Sequence, residues 1–164
     1  KEVIKVNVRE KLNLLGFTLP KKPEGGGSYA HTKALGENLL YVAGCGPELD
    51  GVQRCSGQVG VEVTLEEARE CAVDCTLNIL RALEQDLGSL DRVESFVKMT
   101  VFVACPPQFG QLPQVADAST ALLSQLYGPQ RGLPTRTTVG VTALANGFPV
   151  EIEVLVRVEA APEL

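Results

Sequence analysis

Histidine is almost absent from this chain of 164 residues, and His31 is the only one. Zinc sites in proteins are built from several cysteine, histidine and acidic ligands, so this scarcity argues against one. The sequence also lacks a CxxC pair, and its cysteines are odd in number. We interpret all five as free structural thiols, with a redox or metal role as the alternative; they are Cys45, Cys55, Cys71, Cys75 and Cys105.

Long apolar runs and an excess of positive charge are also missing. No stretch approaches the ~18 apolar residues of a membrane span, and the start of the chain has no signal-peptide core. Free thiols without a signal predict a cytoplasmic protein with no membrane partner. The chain carries 15 Lys and Arg against 20 Asp and Glu, a net charge of −5. Because a nucleic-acid binder needs a positive surface to displace counterions, this balance argues against a nucleic-acid partner.

Phosphate-binding motifs are absent as well. Residues 23–28 read PEGGGS, but neither GxGxxG nor a P-loop lysine follows, so we interpret this segment as a flexible loop. The length is typical of one domain. We therefore predict a single domain over residues 1–164, in which residues 1–28 form an N-terminal extension and the glycine-rich loop.

Hydrophobic periodicity predicts two helices among several strands. Thr64 and Glu67 form a capping box before an apolar stripe at three- and four-residue spacing, and Gly88 ends that helix. A second helix is predicted over residues 112–127. The predicted strands cover residues 39–43, 59–61, 93–103, 136–142 and 149–158. This order predicts an α+β fold in which both helices cover one face of a mixed sheet.

The other face of that sheet is predicted to keep Phe96, Phe102 and Leu155. Large apolar side chains on a solvent face are unfavourable for a monomer. We therefore expect a homo-oligomer in which copies of the chain cover this face.

The last two strands hold the residues with the most chemistry. If they pair as a hairpin through their valines, Arg136 and Thr138 share a sheet face with Glu151. Arginine binds a carboxylate through two parallel hydrogen bonds, and a glutamate can hold or deprotonate a water. The alternative is an Arg–Glu salt bridge across a subunit contact, and spacing alone leaves both open.

The sequence PTRTTVGV at residues 134–141, followed by VEIEV at 150–154, resembles the C-terminal signature of the RidA/YjgF family. The resemblance extends over roughly residues 14–158 and points to a divergent, less studied branch. It implies a chorismate-mutase-like homotrimer with ligand sites between subunits. It also implies hydrolysis of reactive 2-imino acids and enamines to 2-keto acids and ammonia, without cofactor or metal.

By position, the resemblance assigns Arg136 to the substrate carboxylate and Glu151 to the attacking water. It places Tyr29, Gly44 and Thr138 around the substrate. The imine deaminases carry Ser where this chain has Ala43 and Cys where it has Thr138, and an expected Asn falls near Ala116 or Asp117. Two alternatives to the hydrolase therefore remain. One is a non-catalytic or regulatory trimer that binds a small carboxylate metabolite, and the other is an RNA-cleaving translation inhibitor.

Overall fold

The computed structural model describes residues 6–22 and 27–161. Its strands are β1 (Thr32–Leu35), β2 (Leu39–Cys45), β3 (Val93–Ala104), β4 (Thr135–Val141) and β5 (Val150–Val158). Its helices are α1 (Val8–Leu14), α2 (Leu65–Leu87), α3 (Leu112–Tyr127) and the short α4 (Pro129–Gly132). The strands form one mixed sheet in the order β1-β2-β5-β3-β4, with α2 and α3 packed on it. The predicted α+β class is confirmed.

Helix α2 forms as its sequence predicts. The Thr64 side chain accepts from the Glu67 backbone, and the Glu67 carboxylate accepts from the Thr64 backbone, which completes the capping box. Gly88 ends the helix in the left-handed region, at φ 76°, where glycine avoids the strain of a Cβ. Two predicted boundaries are therefore confirmed by local chemistry alone.

Helix α3 lies beside α2 and also has its predicted bounds. The two helices are joined by a buried hydrogen bond between the hydroxyls of Thr76 and Ser119, 2.6 Å apart. Pairing these two polar groups avoids the cost of burying either hydroxyl alone. Together the helices cover the face of the sheet that carries the valine and isoleucine core of β3 and β5: Val101, Val103, Val150, Ile152, Val154 and Val156.

Strand β4 is parallel to β3, and α3 with α4 forms the crossover between them. Strand β5 is antiparallel to β3 and lies on its other side, between β3 and β2. The predicted hairpin of the last two strands is therefore wrong. The segment 142–149 carries the chain past β3, so β4 becomes an edge strand and β5 a central one.

The face opposite the helices differs from its prediction at one position. Phe96 is buried on the helix side, where its ring meets that of Tyr127 edge-on at 5.3 Å. A shift in register between Phe96 and Lys98 changes which face the side chains take. Phe102 and Leu155 do lie on the open face, partly exposed.

Two local predictions also need correction. Residues 59–61 do not form a strand, because Val59 makes only an isolated bridge to Val63. Instead Thr32–Leu35 forms a short edge strand against β2, which the sequence did not indicate. At the N-terminus α1 begins at a capping box of Asn7 and Glu10 and buries Val8 in the core. No helix within the described residues has the length and hydropathy to cross a membrane.

Candidate functional site

Arg136 and Glu151 lie on opposite faces of the sheet. Arg136 is in register with Met99 and Val154, which are both buried beneath the helices. Glu151 is in register with Phe102, on the open face. Side chains of paired residues point to the same side of a sheet, so within one protomer the two groups are separated by the sheet itself. The predicted shared face is wrong because it depended on the hairpin.

The Arg136 guanidinium is half-buried between β4 and α3. Its Nη1 donates to Asp117 Oδ1 at 2.8 Å and to Thr120 Oγ1 at 3.0 Å. Neither Nε nor Nη2 forms a hydrogen bond within the described residues, and the side chain keeps 21% of its exposure. The Nε–Nη2 edge is the one that can bind a carboxylate through two parallel hydrogen bonds. Arg136 is thus held at one nitrogen and retains two donors for a ligand.

Asp117 is one of the two positions, with Ala116, near which the family resemblance placed an expected asparagine. Its carboxylate is 57% exposed and forms the ion pair with Arg136. An asparagine would accept the same hydrogen bond without a charge. Asp117 therefore offsets the positive charge of Arg136, which an amide would leave unbalanced.

Glu151 has the environment of a reactive carboxyl group. It is half-buried, and its side chain makes no hydrogen bond within the described residues. Burial raises the pKa of Glu151, and the nearby charge of Glu153 adds to the effect. Carboxyl groups with raised pKa values, open to solvent on one side, are candidates for general acid–base work.

Gly44 creates the space that Glu151 occupies. A Cβ built at Gly44 would lie 2.9 Å from Glu151 Cδ and still closer to its nearer oxygen. Any side chain at this position would displace the carboxyl group. The two residues come from β2 and β5, which are neighbours in the sheet. The structure therefore brings together two of the predicted site residues, Gly44 and Glu151.

The remaining predicted residues lie apart from that pair. Thr138 is in register with Val101 and thus shares the helix-covered face with Arg136. Tyr29 is 58% exposed, in the segment that precedes β1. The predicted residues therefore form one group on each face of the sheet, and Tyr29 belongs to neither, in an exposed segment before β1.

Sequence reasoning did not single out two further residues, Tyr41 on the open face and His31 on the side of the sheet that faces α2. Burial raises the pKa of Tyr41, and the neighbouring Glu153 carboxylate adds to the effect. The strict alternation of β2 could have placed Tyr41 on the open face. His31 is half-buried, with Nε2 3.6 Å from Cys45 Sγ, and burial lowers the pKa of His31 despite the charge of Asp86. No spacing signal links His31 to Cys45.

No group of three or more cysteine, histidine or acidic side chains in the described ranges is placed to hold a metal ion. The chemistry available at the two groups is that of an arginine fork and a carboxyl group with a raised pKa. Such groups bind an anion and transfer a proton to or from water.

Comparison with known proteins gives one family. Residues 20–158 match the model of a family described as endoribonuclease L-PSP. Protein TCP17 of Trypanosoma cruzi is 33% identical over 150 residues, which are 92% of this chain and 93% of the relative.

Solved structures share the fold. Protein Atu1372 of Agrobacterium tumefaciens, of unknown function, is 31% identical, with a TM-score of 0.86 over 93% of this chain and 92% of its own. Escherichia coli TdcF, solved with bound serine, is 17% identical, with a TM-score of 0.60 over 86% of this chain and 98% of its own. The second likeness shows the fold alone.

Proposed function

Because this chain belongs to the endoribonuclease L-PSP family, which is the RidA/YjgF family, we propose that it hydrolyses reactive 2-imino acids to 2-keto acids and ammonia. The observation that carries the proposal is Glu151. A half-buried carboxyl group with no internal hydrogen bond, beside a glycine that leaves it room, suits the activation of a water. Arg136, with its free Nε–Nη2 edge, suits the carboxylate of the substrate.

The proposed site is formed by two protomers. Arg136 lies on β4 and Glu151 on β5, with β3 between them, so the two backbones are ~10 Å apart and the side chains leave opposite faces. A small imino acid cannot touch both within one protomer. We propose that Arg136 and Thr138 of one protomer face Gly44 and Glu151 of the next.

The open face supports such an assembly. Phe102, Val139 and Leu155 share this face and are only partly buried in the protomer. Covering them with another copy would remove apolar surface from water at about 25 cal/mol for each Å². The same contact would bring Glu151 beneath a neighbouring protomer, and Tyr29 would close the cleft from its exposed segment.

The chemistry needs orientation more than strong acid–base power. A protonated imine carbon is already electrophilic, and Arg136 would fix it by its carboxylate. Glu151, ionised, accepts a proton from water as the oxygen bonds to that carbon and the C=N electron pair moves to nitrogen. The same proton then passes to the amino group. The C–N bond breaks as an oxygen electron pair forms the C=O bond, Glu151 takes the hydroxyl proton and passes it to the departing ammonia, and ammonium and the 2-keto acid leave.

A second candidate is a trimer that binds a small carboxylate metabolite without turning it over. The Asp117–Arg136 ion pair favours this binding role, because the aspartate weakens the electrostatic attraction between Arg136 and a second carboxylate. That TdcF was solved with bound serine is consistent with an amino-acid-like ligand in this fold. The net charge of −5 makes the RNA-cleaving candidate the weakest.

A coupled assay tests the proposal. An amino-acid oxidase generates a panel of 2-imino acids, and semicarbazide competes for each one while the semicarbazone is followed by absorbance. We expect this protein to lower semicarbazone formation for at least one imino acid and to raise the yield of ammonia. Unchanged semicarbazone formation across the panel, with binding of 2-keto or amino acids by calorimetry, would select the non-catalytic candidate.

Gly44→Ala is expected to lower imine hydrolysis by roughly 10- to 100-fold, since displacement of a catalytic group by about 1 Å has effects of this size. The three atoms nearest to the added Cβ all belong to the flexible end of the Glu151 side chain, which can move aside. We therefore expect the midpoint of thermal unfolding to change little. Gly36→Ala is no suitable control because of its positive φ; Gly110→Ala, in open space without a positive φ, is the matched one. Full activity in Gly44→Ala would remove Glu151 from the mechanism.

A further inference from the structure

Two cysteines that the proposed reaction does not use are in direct contact. Cys55 Sγ lies 3.0 Å from Cys71 Sγ, and both thiols are free. Cys55 is in the irregular segment between β2 and α2, and Cys71 is in the second turn of α2. All five cysteines are predicted from the sequence to be free thiols, with no pair among them. The contact is made across 16 positions of the chain.

The contact is held from both sides by other interactions. Arg54, next to Cys55, bonds to Asp74 through Nε at 2.6 Å and to Glu70 through Nη1 at 2.7 Å. These carboxylates lie one position before and three after Cys71 on α2. Asp74 is buried, so its link to Arg54 is costly to break.

The other side of the Cys55 segment is tied to the turn before β5. Gly57 N–H donates to the Gly147 carbonyl at 2.9 Å, and the Ser56 hydroxyl donates to the same oxygen at 3.2 Å. These contacts hold the Cys55 segment against α2 in one position. The two sulfur atoms are therefore adjacent before a disulfide bond forms. Such preorganisation replaces the chance encounter of two thiols by an intramolecular one.

The two thiols differ in access. Cys55 is partly exposed, whereas Cys71 is fully buried. Burial raises the pKa of both, so each is mainly a thiol at neutral pH. The hydrogen bond from Cys71 and the charge of Arg54 act against that rise at Cys55. Cys55 is thus the sulfur that a small oxidant reaches first, and Cys71 the one placed to react next.

We propose that Cys55 and Cys71 form a reversible intramolecular disulfide when the protein meets a hydroperoxide. The Cys55 thiolate attacks the outer peroxide oxygen, the O–O bond breaks, and water or an alcohol leaves behind a sulfenic acid. Cys71 then attacks the sulfenic sulfur, water leaves, and the S–S bond forms. The two thiols lose two protons and two electrons, which the peroxide takes up. This inference does not depend on imine hydrolysis.

Peptide mapping of the full-length protein tests it. The protein is treated with one equivalent of hydrogen peroxide, remaining thiols are alkylated, and the digest is analysed by mass spectrometry without reduction. We expect the Cys55 and Cys71 peptides joined, lighter by two hydrogen atoms, and separated again by dithiothreitol. Since closing a loop of this length restricts the unfolded chain, the midpoint of unfolding should rise by roughly 5–10 °C on oxidation.

Variants separate the pair from general oxidation. Cys71→Ser is expected to accumulate a Cys55 sulfenic acid that dimedone traps, while Cys55→Ser should give neither product. Cys105→Ser, a change at another buried thiol, should oxidise like the parent protein. The proposal is overturned if the parent yields Cys55 and Cys71 unlinked, or linked only between chains, while peroxide is consumed.

Discussion

Replacing Arg136 by alanine is expected to lower kcat/KM for 2-imino acid hydrolysis by roughly 10²- to 10³-fold, the cost of losing a charge-assisted, bidentate contact. The Nε–Nη2 edge of Arg136 is without a hydrogen bond in the described chain and is available for a substrate carboxylate. Arg136→Lys keeps the charge but loses the fork, so it should recover only part of the rate. The coupled assay measures each variant on the same imino acids.

Two controls make this result specific. A cyclic imine without a carboxylate should be hydrolysed equally by Arg136→Ala and the parent, because no group would contact the arginine. Arg9→Ala removes another partly exposed arginine that forms an ion pair, in this case with Glu84 of α2, and should leave kcat/KM unchanged. Loss of the half-exposed Asp117 ion pair should change the free energy of unfolding by no more than about 1 kcal/mol. A full rate in Arg136→Ala would contradict the assigned carboxylate contact.

Elements defined by local chemistry could be predicted from the sequence. The capping box of Thr64 and Glu67, the terminal Gly88 and the apolar stripe between them specify α2 without reference to the rest of the chain. The same holds for the bounds of α3 and for the alternation that places Glu151 on the solvent side of β5. The resemblance to the RidA/YjgF family, based on short motifs, is confirmed by the family match.

Long-range pairing could not be predicted in this way. Consecutive strands are commonly neighbours, but here β3 lies between β4 and β5, and no local signal distinguishes the two arrangements. That single error placed Arg136 and Glu151 on one face. Phe96 was misplaced because a register shift interrupts the alternation of β3. The contact of Cys55 with Cys71 likewise depends on how an irregular segment folds back on α2.

Glu151→Gln is expected to lower kcat by roughly 10²- to 10³-fold, within the usual range for loss of a general base. In the parent, kcat should rise with pH as Glu151 ionises, at a pH above the ordinary range of a glutamate because burial raises the pKa of Glu151. In Glu151→Gln this rise should be absent. Stopped assays across the acidic range measure both profiles. An unchanged acidic limb in the variant would assign that limb to another group.

Stability should move in the opposite direction to activity. A raised pKa means that the folded protein favours the neutral carboxyl group. The contribution of Glu151 to stability is therefore present below the ordinary pKa of a glutamate and is lost as pH rises through the raised pKa of the folded state. Above that raised pKa the ionised Glu151 is therefore unfavourable in the fold, and glutamine removes the charge. We expect the midpoint of thermal unfolding of Glu151→Gln to equal or exceed that of the parent at pH 7. A lower kcat with a lower midpoint would indicate a structural role instead.

Mixing the two inactive variants shows whether a site is shared. Suppose that Arg136 of one protomer acts together with Glu151 of its neighbour. A site is then intact where a Glu151→Gln chain, which keeps Arg136, lies next to an Arg136→Ala chain, which keeps Glu151. In a cyclic trimer that contains both chains, one of the three shared sites is of this kind, so about a third of the parent activity should return once unmixed trimers are removed. Chains co-expressed with different affinity tags and purified by both tags provide the mixture. If both residues acted within one protomer, every site would carry one substitution and no activity would return. The opposite faces of β4 and β5 therefore make recovered activity the expected result.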